Sequence, residues 1–143
     1  MKNLFVSVIV AICLIGFVGF VGCTGGKNIT RSELLGTWKF TSESPENNHV
    51  AESEYTFDDS GKLSVIKNET GELGNSKVIT EGTWKLSGST LTTKRRMVQW
   101  EKEGEPVDKL PSREFEREYE VVSWSESLLN LKGTHGTSLD LSR

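Results

Sequence analysis

The sequence predicts an all-β fold: a small up-and-down antiparallel barrel of eight strands behind a cleaved signal peptide. Three observations carry that expectation. Beyond residue 36 the apolar residues recur with period two and do not return to a helical period. Clusters of Gly, Ser, Asp and Pro interrupt the pattern at short intervals, as turns between neighbouring strands do. And Gly-Thr-Trp-Lys occurs twice, at 36–39 and 82–85, in a chain of 143 residues with only four tryptophans.

The amino-terminal segment comes first. Lys2 supplies a positive charge, and Leu4 to Gly22 follow with none, ending in Phe20-Val21-Gly22-Cys23. A charged start, an apolar stretch and small residues before a cut site define a secretory signal. This places a signal peptide at 1–22, a tether and short helical turn at 23–33, and the barrel domain at 34–143. The alternative is an uncleaved anchor, since about 20 apolar residues span a bilayer. Cleavage is favoured by Gly16, Gly19 and Gly22, which dilute the run, and by Cys23 at its edge. The segment resembles a bacterial lipoprotein signal, whose lipobox reads Leu, a small residue, Gly or Ala, then Cys; Phe20 stands in the leucine's place. That resemblance implies that Cys23 carries acyl chains such as palmitate and that the membrane is a partner. Each buried methylene contributes about 0.8 kcal/mol, so several chains hold a domain there durably. Thr24 after the cysteine resembles the outer-membrane-directed type and implies the bacterial cell envelope.

With Lys2 removed, 16 basic residues face 20 acidic ones, a net charge of −4 against −3 for the whole chain. That balance argues against nucleic acid, which calls for a basic face. Cys13 lies in the signal and Cys23 at the lipid, so the domain is left without a disulfide or a thiolate nucleophile. The histidines, His49 and His135, sit in polar turn sequence with no companion spacing, so no catalytic residue, metal site or cofactor is expected. The run Asp58-Asp59-Ser60-Gly61-Lys62 puts lysine at a calcium-ligand position and reads as a hairpin turn instead. The protein is not expected to be an enzyme.

Within the domain, Thr30-Arg31-Ser32-Glu33 reads as a capping box opening one helical turn that ends at Gly36. Trp38 and Phe40 then share a face, as do Tyr55 and Phe57. Asp59-Ser60-Gly61 turns the chain into a strand with Leu63 and Val65. A polar loop from Glu69 to Ser76 leads to Val78, Gly82, Trp84 and Leu86, and Ser87-Gly88-Ser89 turns into Leu91, Thr93, Arg95 and Met97. Phe115, Arg117, Tyr119 and Val121 follow a loop at Glu101–Ser112. Leu129 with Leu131 and Leu139 with Leu141 mark the last two strands, joined by a turn at Gly133–Gly136. Eight such strands close on themselves and leave no free edge. The interior then holds packed side chains or one small ligand.

In each copy of the doublet a glycine precedes, by two residues, a tryptophan on the same face. Glycine allows close backbone approach, so Gly36, Trp38, Gly82 and Trp84 are expected to be structural. The stretches LLGTWKF, YTFDDSGKL, EGTWKLSGSTLT and YEVVSWSESLLNLKG together resemble bacterial lipocalin-like domains over nearly all of 34–142. The resemblance implies the barrel and carries over no catalytic residue.

The glutamates at 114, 116, 118 and 120 form a stripe that repels itself and is expected to face water. Arg95 and Arg117, by contrast, fall on the parity of apolar neighbours. A buried arginine is costly unless paired with an anion. Arg117-Glu118-Tyr119 resembles the Arg-x-Tyr pattern by which fatty-acid-binding barrels hold a carboxylate, though two strands earlier in the chain. Two readings stand: Arg95, Arg117 and Tyr119 hold a ligand's anionic group, or both arginines form plain ion pairs at the rim or surface. The function expected is non-catalytic binding of a small apolar or anionic amphipathic ligand by a membrane-anchored envelope lipoprotein. The alternative is an accessory protein-interaction module with a filled core, acting through loops at Ser42–Ser53 and Glu101–Ser112.

Overall fold

The computed structural model describes residues 28–143 apart from Leu73; the signal peptide at 1–22, Cys23 and most of the tether lie outside the described residues. The Thr30 backbone N–H and hydroxyl both donate to Glu33 Oε2 at 2.7 Å, so Arg31–Leu34 makes the single turn α1. From Gly36, at φ +110°, the chain is extended. It forms β1 (Gly36–Ser44), β2 (His49–Phe57), β3 (Lys62–Thr70), β4 (Ser76–Ser87), β5 (Thr90–Lys102), a two-residue β6 (Glu105–Pro106), β7 (Phe115–Trp124), β8 (Leu128–Gly133) and β9 (Ser138–Ser142).

Every pairing is antiparallel. Around the barrel the order is β1-β2-β3-β4-β5-β7-β8-β9, and β9 returns to β1. The eight predicted strands are the eight staves. The short β6 pairs only with the end of β5, as a small flap beyond the wall. Trp38, Phe57, Leu63, Leu91, Leu129 and Leu141 are fully buried on the inward parity. Among the described residues the buried core runs from Ile29 to Leu141, with every one of the eight staves contributing to it.

Two departures from strict alternation shape the wall. On β5 an extra residue, Val98, stands between Met97, opposite Thr80, and Gln99, opposite Ile79. On β7 Val122 is the extra residue, between Val121 and Ser123, and it points to solvent. Such bulges bend a strand and re-aim the residues after them.

The expected loop at Ser42–Ser53 is not a loop. β1 continues to Ser44 and β2 begins at His49, with full pairing from Gly36↔Phe57 to Ser44↔His49. Only a one-turn 3₁₀ segment, Pro45–Asn47, and left-handed Asn48 join them. The inward positions here are small, Ser42, Ala51 and Ser53, two of them polar, so the strands persist while their apolar period disappears. The Glu101–Ser112 loop is likewise shortened at its start, where β5 runs on to Lys102.

Candidate functional site

The two ends of the barrel are built differently. At one end the tryptophans of the Gly-Thr-Trp doublet form a floor. Trp38 donates its indole N–H to Leu34 O at 2.9 Å, and Trp84 donates to Asp58 O at 3.1 Å. Phe57 meets Trp84 edge to face at 5.6 Å. Two arginines cover the rings from outside: Arg143 lies 4.1 Å from the Trp38 centroid and Arg31 4.4 Å from that of Trp84. Each also ties down backbone, Arg143 at Glu33 O and Leu35 O, Arg31 at Asp59 O. Cation–ring contacts of this kind contribute about 0.5–1 kcal/mol each. With Ile29 and Leu34 packed beneath, this end is shut.

Toward the other end the interior opens into a chamber of about 350 Å³ with inward side chains from β1, β2, β3, β4, β5 and β7. Its apolar wall is Phe40, Val65, Val78, Met97 and Phe115. Arg95 lies within it, only 9 % exposed. Its guanidinium is 5.0 Å from the Phe115 ring centroid and 5.7 Å from that of Tyr55. Arg95 Nε and the hydroxyls of Thr80 and Thr93 are buried without a hydrogen-bond partner. Among the described residues no carboxylate pairs with Arg95; the four ion pairs all lie elsewhere. A buried polar atom without a partner costs about 1–3 kcal/mol, more for a charged group. Burial raises the Tyr55 phenol above its ordinary pKa; the Arg95 charge and hydrogen bond oppose this, and nearby Tyr119 adds a smaller upward push.

Gly82 makes this arrangement possible. It stands directly opposite Arg95, where a Cβ would lie 1.8 Å from Lys94 O and 2.8 Å from the Arg95 Cα. The strands therefore touch backbone to backbone beside the arginine.

The structure separates the two arginines that share a parity. Arg95 is interior. Arg117 is exposed, donating to the neighbouring Glu116 O at 3.3 Å. β8 begins to pair with β7 only at Tyr119↔Gly133, so no wall rises beyond Arg117 to enclose it. Tyr119 is buried in the core below the chamber and does not line it. The expected trio is thus one chamber residue, one core residue and one surface residue. The rim or surface ion-pair reading fails for Arg95, which is interior; Arg117 lies at the surface as that reading has it, though without an ion pair among the described residues. The glutamate stripe of β7 is exposed, with Lys94 Nζ 3.1 Å from Glu114. Sequence reasoning passed over Lys67 and Tyr55, which also line the chamber. For Lys67 the signal was there: it shares its parity with Leu63 and Val65. A larger hollow of about 510 Å³ is lined by Thr56, Ser64, Glu81 and Thr83 of the opposite parity, together with Leu63 and Gly82.

A closed eight-stranded antiparallel barrel, shut at one end and hollowed at the other around the buried Arg95, is the architecture of the lipocalin-like class. The family model of the lipocalin-like domain matches residues 34–131, from the residue pair before β1 into β8. The chain belongs to the lipocalin-like domain family. Proteins of this family are in general binding proteins rather than enzymes. No curated protein and no solved structure matches the chain.

Proposed function

We propose that this is an envelope lipoprotein, held to the membrane through acyl chains on Cys23, whose barrel binds a small anionic amphipathic ligand without catalysis. The observation that carries the binding half is Arg95: a guanidinium 9 % exposed, among aromatic and aliphatic walls, with a buried Nε that has no partner. A carboxylate or similar anion satisfies that group by a charge-assisted bond, which is strong where water is excluded. The apolar wall takes the rest of the molecule. The anchoring half rests on Gly22-Cys23 at the end of the uncharged run.

Binding is tested on residues 24–143 by thermal unfolding with decanoate. Ligand raises Tm by mass action; Arg95→Leu abolishes the rise, and Arg117→Leu keeps it. Equal shifts for wild type and Arg95→Leu, or none for either, overturn the binding reading. Anchoring is tested in cells fed a detectable fatty acid. Label enters the wild type and is lost in Cys23→Ser, and the mature chain begins at Cys23. A mature chain found to begin at Met1 contradicts it.

A further inference from the structure

The chamber contains a second cation, and its state limits what the ligand can be. Lys67 lines the chamber one step nearer the mouth than Val65. Its Nζ lies 2.5 Å from Glu69 Oε1. Glu69 also accepts from the Ser76 hydroxyl at 3.0 Å and has His49 Nε2 3.8 Å away. These partners hold the Glu69 carboxyl below the usual carboxylate range, the Lys67 hydrogen bond most of all. Glu69 is therefore ionised near neutral pH, and it cancels Lys67.

Among the described residues that leaves the chamber lining one charge without an opposite partner, on Arg95. Three of the four unpartnered buried groups among the described residues cluster in register there, Arg95 Nε with the hydroxyls of Thr93 on the same strand and Thr80 on the next; the fourth, Trp100 Nε1, lies further along β5, opposite Val78. Val78 and Met97 stand nearer the mouth. We infer that the chamber selects a monoanionic amphiphile, an alkyl monocarboxylate seated headgroup-first on Arg95, and discriminates against dianions because Glu69 has already neutralised Lys67. A second negative charge in that space meets, besides Arg95, only Lys67, which Glu69 already pairs; an uncompensated charge out of water is expensive. The inference rests on the ligand-binding reading above and adds the charge and orientation of the ligand.

The test compares three probes of equal chain length by calorimetry on residues 24–143 at pH 8: decanoate, decyl phosphate, which is a dianion there because its second pKa is about 6, and uncharged decanol. Decanoate is expected to bind about tenfold or more tighter than either, the size of one well-made charge-assisted contact. Glu69→Gln frees Lys67 and is expected to strengthen decyl phosphate about tenfold while changing decanoate less. Decyl phosphate binding as tightly as decanoate in the wild type overturns the inference, and that comparison needs no variant. An unchanged ratio in folded Glu69→Gln overturns it too. Decanol binding as well as decanoate shows a chamber that does not select charge, which overturns the inference and leaves a binding barrel standing. No binding of any probe removes the ligand-binding reading itself.

Discussion

Gly82 has partner-strand backbone where any other residue carries its side chain. A Cβ there lies 1.8 Å from Lys94 O, and backbone cannot swing aside as a flexible side chain can. Gly82→Ala is expected to cost about 3 kcal/mol or more by forcing β4 from β5. Gly88 is the fitting comparison: it too needs glycine, at φ +61°, but nothing lies within 4 Å of its Cβ position. Gly88→Ala is expected to cost about 1 kcal/mol, the left-handed backbone penalty alone. Urea unfolding of the two variants decides the matter. A cost at Gly82 no greater than at Gly88 contradicts the close approach, and with it the account of how Arg95 is accommodated. The twin motif in the sequence hides a difference at this scale. Gly36 supplies a positive φ at the entry to β1, whereas Gly82 supplies clearance in mid-strand.

At the scale of strands, the rim joins β2, β3 and β4 through Glu69, with Lys67, His49 and Ser76 as its partners. Its carboxyl is held below the ordinary range, so the folded state binds the proton less readily than the unfolded chain does. The stabilisation is therefore complete above about pH 5 and is lost as pH falls through the folded value, below the usual glutamate pKa of about 4.3. For a partly exposed pair it amounts to about 1 kcal/mol or less. Glu69→Gln is expected to flatten the acid limb of the stability–pH curve; an identical limb in wild type and variant excludes this role. The same strands show what was legible beforehand. All eight staves and the turn at Asp58–Lys62 could be read because their inward positions are large and apolar. The upper parts of β1 and β2 could not, since Ser42, Ala51 and Ser53 give no period. Nor could the different fates of Arg95 and Arg117. Periodicity reports which face a residue takes, while enclosure depends on how high the neighbouring strand rises, and β8 ends at Gly133, opposite Tyr119, too low to cover Arg117.

Across the whole molecule the wall is uneven. β1 and β2 share nine registered pairs, from Gly36↔Phe57 to Ser44↔His49, whereas β1 and β9 share one, Lys39↔Ser142. Amides with few ladder partners open at lower free energy, so hydrogen exchange is expected to be faster over Ser138–Ser142 than over Leu63–Ile66. Equal protection contradicts a weak seam. That seam joins the first stave to the last, and the guanidinium above Trp38 belongs to Arg143. Closure thus depends on contacts between residues about a hundred positions apart in sequence, the kind that form last because the intervening loop must be brought together first. Until β9 has found β1, the other staves are an open ribbon with two bare margins, so the wall becomes a vessel only at that last join.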